Sequence, residues 1–221
     1  MRSSCPGSQA PSYNRRISAY FVLLIVELSV TLVAAVALYG EPFSLEYAFS
    51  DLGSTATWEG KVNAPSSLVF TLGGLSASWI MLHIWAAYSG EPRFRSQQAK
   101  RSLGALGTVG FLLSSVPNSQ HHIIHMIGAI FAFAALYLFT MIYYFEMKAA
   151  MPQWRFILEL VLLQLAVFSY AAAFFADWPS KQGFQKACIA GVFYTMLRAV
   201  SMGQEGFRLQ EMPEVFRQMQ G

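Results

Sequence analysis

The feature that most constrains this chain is the length of its apolar runs. They recur as six blocks of about 20 residues, at 17–39, 65–88, 99–116, 122–145, 154–176 and 184–202. A helix rises about 1.5 Å per residue, so a block of that length covers about 30 Å of hydrocarbon. Inside a bilayer the backbone must satisfy its own hydrogen bonds, which leaves helices as the economical solution for blocks of this kind. With 55% hydrophobic and only 12% charged residues, 221 residues leave room for one compact membrane domain. The expected fold is all-α, a polytopic six-helix transmembrane bundle over 17–203. Polar cytoplasmic tails flank it at 1–16 and 204–221, the first reading as disordered. Ala35-Val36-Ala37 resembles a cleavage site, but the first block is too long for a signal core and Glu27 interrupts it. The third block is short and carries Gly104, Gly107 and Gly110, a smooth ridge that predicts close approach of a neighbouring helix.

A formal charge of +3 is too small to suggest nucleic acid. Its distribution says more. Twelve of the fifteen basic residues fall on the tails and even-numbered connections or at the block ends beside them; Lys61, Lys181 and Lys186 fall on the other side. That asymmetry predicts both termini in the cytoplasm. Trp85 and Trp154 then lie at inner boundaries and Trp58 and Trp178 near outer ones, as interfacial anchors should. Cys5 and Cys188 are expected on opposite sides and therefore unpaired.

This topology puts two polar stretches on the same outer side. One is YAFSDLGSTATWEGKVNAPSSLVF, Tyr47 to Phe70, with Ser50, Asp51, Glu59 and Asn63; the other is PNSQHHIIH, Pro117 to His125. Ser or Asp caps a helix or braces a turn, and Gly53 permits one, so Ser50 and Ser54 have a structural reading. A carboxylate near hydrocarbon needs a partner, which for Asp51 points to the outer histidines or Lys61. His121 and His125 are four apart and His122 and His125 three apart, so each pair can share a helical face. Two imidazoles with a carboxylate, Asp51 or else Glu59 or Asp177, make a possible zinc set. The bland alternative is that the rings sit at the water interface and satisfy loop backbone. A Ser50–His125–Asp51 nucleophile arrangement is poorly matched, because adjacent residues rarely supply two members of one triad. Within the blocks lie Glu27, His83, Glu159 and Gln164. Such residues usually face the bundle interior, and a lone mid-membrane acid such as Glu27 reads better as a structural contact than as a transport path.

FSDLGS at Phe49–Ser54, followed by Asn63, resembles the six-span proteins of domain-of-unknown-function family 998 (DUF998), within the wider FRAG/DRAM-like group. Val116-Pro117-Asn118 followed by His125, Gly128-Ala129 and Phe131 is similar to the same group. Leu52 stands where the DRAM-type element usually has Thr, so the 998-type likeness is nearer. The resemblance implies an integral membrane protein that handles lipid without a settled reaction. A weaker similarity is to metal-dependent lipid hydrolases related to alkaline ceramidase, which have seven spans and histidines on more helices.

The expected function is therefore a non-catalytic or accessory multi-pass membrane protein. It would engage lipid through an outer polar pocket lined by Ser50, Asp51, Asn63 and His125, with no cofactor. The alternatives are a zinc-dependent intramembrane lipid hydrolase using Asp51, His121, His122 and His125, and a structural subunit of a membrane-protein complex.

Overall fold

The computed structural model describes residues 15–90 and 96–211, and the side chains of these except 150 and 203–211. The first fourteen residues, Arg93, Arg95 and the last ten residues fall outside it, and with them most of the expected tails. Among the described residues six α-helices follow one another: α1 (Arg15–Ala37), α2 (Ala64–Gly90), α3 (Gln97–Ser114), α4 (His122–Met147), α5 (Gln153–Phe175) and α6 (Lys181–Glu211). Every apolar block has become one helix. α6 runs past its apolar block into the polar stretch expected to be tail, because a formed helix extends at the cost of one residue's ordering per added bond. Among the described residues the only β pairing is one antiparallel bridge, Ala56 with Val62.

Four helices, α1, α2, α4 and α5, are long and apolar enough to cross a membrane. The other two are diluted by charge. α3 opens on Gln97, Gln98, Lys100 and Arg101, and α6 carries Lys181, Lys186 and Arg198.

α3 packs between α2 and α4, α1 lies on α2, α5 lies on α6, and α6 closes against α4 and α1. The core is largely apolar: Phe21, Leu24, Met81, Ile84, Leu136, Phe139, Val192 and Met196 are buried. The outward faces are apolar as well. Val22, Val26, Val30 and Val33 of α1 form an exposed stripe at helical spacing, and Leu158, Leu162, Leu165 and Phe168 do the same on α5. A helix that is apolar on both faces suits hydrocarbon, not water.

The glycine ridge of α3 is where its neighbours come closest. A Cβ at Gly104 would lie 2.9 Å from the Trp85 backbone of α2, and one at Gly110 would lie 2.3 Å from the Ala132 nitrogen of α4. Between them, a Cβ at Gly107 would lie 2.2 Å from Met81 Cε. Without Cβ atoms the helices gain contact area that lipid-exposed packing cannot otherwise supply.

The connections α1–α2, α3–α4 and α5–α6 meet at one end of the bundle, the capped end. Thr55 N–H donates to Ser119 Oγ at 3.1 Å, and Phe49 N–H donates to Gln185 Oε1 at 3.0 Å. At the opposite end the last turn of α2 meets the first of α3 and the last of α4.

Candidate functional site

Residues 38–63 form a lid over the capped end, built around Asn63. This residue is fully buried and stands immediately before α2. Its Nδ2 donates to Ser54 O at 2.8 Å, with Leu52 O and Asp51 O at 3.5 Å, and its Oδ1 accepts from Gly40 N–H at 3.3 Å. Three carbonyls around one amide atom and an N–H facing the other define how the amide is turned. The first turn of α2 completes the job. Ser66 Oγ donates to Leu52 O at 3.1 Å and Ser67 Oγ to Gly53 O at 2.9 Å. The carbonyls of Leu52 and Gly53, at the end of the short 3-10 turn Phe49–Gly53, are thus satisfied by side chains ten or more positions away.

Asp51 lies in that 3-10 turn, and its Oδ2 accepts from Ala48 N–H at 2.8 Å and from Trp58 Nε1 at 3.0 Å. It braces its own turn and holds an indole whose residue is 73% exposed. Ser50 is half-buried in the same turn. Beyond it, residues 55–63 fold into a small hairpin. Thr57 N–H donates to Lys61 O at 2.9 Å, and Gly60 takes φ 79°, a left-handed position that a side chain would strain. Lys61 pairs with Glu59 at 2.7 Å, and that hydrogen bond and charge hold the Glu59 carboxyl below the usual range.

The histidines separate. His125 is buried, with Nδ1 3.0 Å from Val116 O and its ring centroid 6.0 Å from that of Phe70. His122 is exposed and its Nδ1 meets Asn118 Oδ1 at 2.7 Å; His121, also exposed, precedes α4. Asp51 and His125 share the capped end, but Asp51 Oδ2 and His125 Nδ1 each bond elsewhere, and no described hydrogen bond joins the two side chains. Among the described residues no three of His, Cys, Asp and Glu gather into a group that could hold a metal ion, so Asp51, His121, His122 and His125 are not assembled as ligands here. The other proposed carboxylate, Asp177, pairs with Lys181, whose hydrogen bond and charge hold it below the usual range.

Sequence reasoning missed several residues of the lid. Lys186 of α6 donates to Leu45 O at 2.9 Å and to Tyr47 O, and its ammonium lies 5.2 and 5.5 Å from the ring centroids of Phe43 and Phe49. Tyr39, Phe43 and Tyr47 pack ring against ring, with centroids 5.3 to 6.0 Å apart. Burial, followed by the charges of Asp51 and Glu41, pushes the Tyr39 phenol up to about 12. A signal for Lys186 did exist: four aromatic residues between 39 and 49 on the side assigned to that lysine.

The opposite end holds two ion pairs, one of them buried and the other with a part-exposed arginine. Lys100 Nζ lies 2.6 Å from Glu146 Oε2, with both side chains buried, and stands over the rings of Tyr88 and Tyr143. The hydroxyls of those tyrosines meet at 2.6 Å. One turn of α4 serves the second pair too. Arg198 donates to Glu159 Oε1 at 3.1 and 3.2 Å, and the Tyr144 hydroxyl reaches Glu159 Oε2 at 3.2 Å and Thr195 O at 2.8 Å. In α1, Glu27 is half-buried and accepts from Thr31 Oγ1 at 3.1 Å. His83 stacks on Tyr20 at 5.5 Å between centroids, and Gln164 Oε1 accepts from the Tyr137 hydroxyl at 2.8 Å.

Compared with models of protein families, with curated proteins and with solved structures, the chain matches none of them.

Proposed function

We propose that this protein is a six-span integral membrane protein, with both termini cytoplasmic, that engages lipid headgroups through the lid at its outer end. The resemblance of FSDLGS and Asn63 to family 998 and the FRAG/DRAM-like group belongs to this proposal. The observation that carries it is the surface of the lid. Leu45, Trp58, Val62 and Ile123 are each 72 to 77% exposed at the capped end, beside Glu59, Lys61 and His122. Large apolar side chains among charges are costly in water and favourable at the headgroup boundary. The polar residues beneath, Asn63, Asp51, Ser66 and Ser67, hold the lid in shape and present that surface. The hydrolase reading has less support, because Asp51 and His125 are each engaged with backbone atoms of their own segments.

The arrangement of connections supports the six-span reading: three share one end, as strict alternation of antiparallel helices would require. Cysteines placed at Lys61 and Ser180 should react with an impermeant reagent from outside, and one at Gln97 should not; the reverse pattern sinks the topology. For the lipid reading, native mass spectrometry should find lipid retained by the wild type after detergent exchange. Replacing Leu45 and Val62 by Ser, both exposed, should lose it. Equal retention in the two proteins would overturn the proposal.

A further inference from the structure

We propose that the lipid-facing edge of the α1–α2 seam is an interface for a second copy of this chain, bound about a two-fold axis along the membrane normal. The proposal rests on α1 and α2 spanning the membrane, which the impermeant-reagent labelling tests separately, and is independent of the lid.

Two contacts set the register of the seam. Tyr20 stacks on His83, with ring centroids 5.5 Å apart, and Thr31 lies against Gly73, where an added Cβ would stand 2.2 Å from Thr31 Cγ2. The two helices therefore run antiparallel along this seam. Glu27 is seven residues on from Tyr20 and Ser76 seven before His83, so both stand about 10 Å further from the inner end than that ring pair. Twelve residues separate Glu27 from the start of α1, about 18 Å of helix, which puts Glu27 and Ser76 near the middle of the hydrocarbon.

The edge has the pattern of a helix-packing surface. On α2, Leu72, Ser76, Trp79 and His83 recur at alternating steps of four and three, and on α1 Leu23, Glu27 and Val30 do the same. This alternation suits a left-handed helix pair. Yet Leu23, Val30, Leu72, Ser76 and Trp79 are exposed, and Glu27 and His83 only half-buried. The polar groups are open too. Among the described residues the Ser76 hydroxyl and the His83 ring nitrogens make no hydrogen bond. Glu27 gives Oε1 to Thr31, and its Oε2 is covered without a hydrogen bond.

Lipid headgroups do not reach that depth, so a polar partner there comes from another helix. A second copy supplies it. Rotated half a turn about the membrane normal, it brings its Ser76 to the level of Glu27 and its Glu27 to the level of Ser76. Donor meets acceptor in both directions, which is the self-complementarity an isologous interface requires. The Glu27 carboxyl turns about its last bond, a soft torsion, to meet the hydroxyl. Ser76 is small enough to let the backbones come close, while Leu72 and Trp79 pack on either side of it.

Full-length protein labelled with donor or acceptor fluorophore and reconstituted together in phospholipid vesicles should show energy transfer that saturates as the protein-to-lipid ratio rises. Ser76→Leu and Glu27→Leu should each weaken association about tenfold. Leu165→Ala, on the exposed face of α5, should leave it unchanged. Trp79 is 62% exposed on the edge. The photo-crosslinker p-benzoylphenylalanine in its place should, on irradiation of native membranes, give an adduct of twice the chain's mass, a test that stands even where Ser76→Leu fails to fold. Energy transfer absent from the wild type at every ratio, or equal in wild type and folded Ser76→Leu, would overturn the interface. An adduct with a different protein, or with lipid alone, would overturn it as well.

Discussion

Replacing Asn63 by alanine should loosen the lid without unfolding the bundle. The side chain is fully buried and makes one strong hydrogen bond, to Ser54 O at 2.8 Å, and one longer one, from Gly40 N–H at 3.3 Å. An unsatisfied buried group costs about 1–3 kcal/mol. Gly40 is exposed enough to recover a water, and Leu52 O keeps its bond from Ser66. Only the Ser54 carbonyl is left to pay in full, which places Asn63→Ala at about 2 kcal/mol. Asn63→Asp sharpens the argument. It is nearly isosteric and keeps the acceptor for Gly40, but turns an oxygen toward three carbonyls where Nδ2 had donated, so it should cost more than alanine. Hydrogen exchange followed by mass spectrometry reads both. Amides of 40–63 should lose protection in the order wild type, Ala, Asp, while the middles of α2 and α4 stay unchanged. Protection unchanged in Asn63→Ala, or Asp tolerated better than Ala, would refute the view that Asn63 organises the lid.

Two further predictions concern charges within the bundle. Lys100→Met should destabilise by about 3–5 kcal/mol because it strands Glu146, whereas Lys100→Met combined with Glu146→Leu should recover most of the loss; thermal unfolding of the single and double variants in one detergent measures the coupling. Glu27→Gln keeps an acceptor for Thr31, so folding and lipid retention should both persist; loss of lipid retention in a normally folded variant would instead give Glu27 a role beyond its contact with Thr31.

Much of the architecture was legible in the chain because the governing constraint is local. An apolar block of bilayer length must close its backbone hydrogen bonds within itself, so helix positions follow from hydropathy, and α1 to α5 begin and end within about three residues of their blocks. The glycines at 104, 107 and 110 were equally readable, since a missing Cβ has one use on a helix packed between two others. Spacing also marked Asp51, Asn63 and His125 as unusual. It could not say what they touch. Imidazoles three and four apart share a helical face, yet His122 took Asn118, four residues before it, and His125 turned inward to Val116. Asn63 bonds to residues 9 to 23 positions away, Thr55 to Ser119, and Phe49 to Gln185 at a separation of 136. Charge misled in the same way. Lys100 counts as a loop cation in the sequence, and only the meeting of α3 with α4 supplies the carboxylate and two aromatic rings that let it be buried. Helices are decided by the solvent their own residues require; partners are decided by which helices pack together, and that is a property of the whole chain.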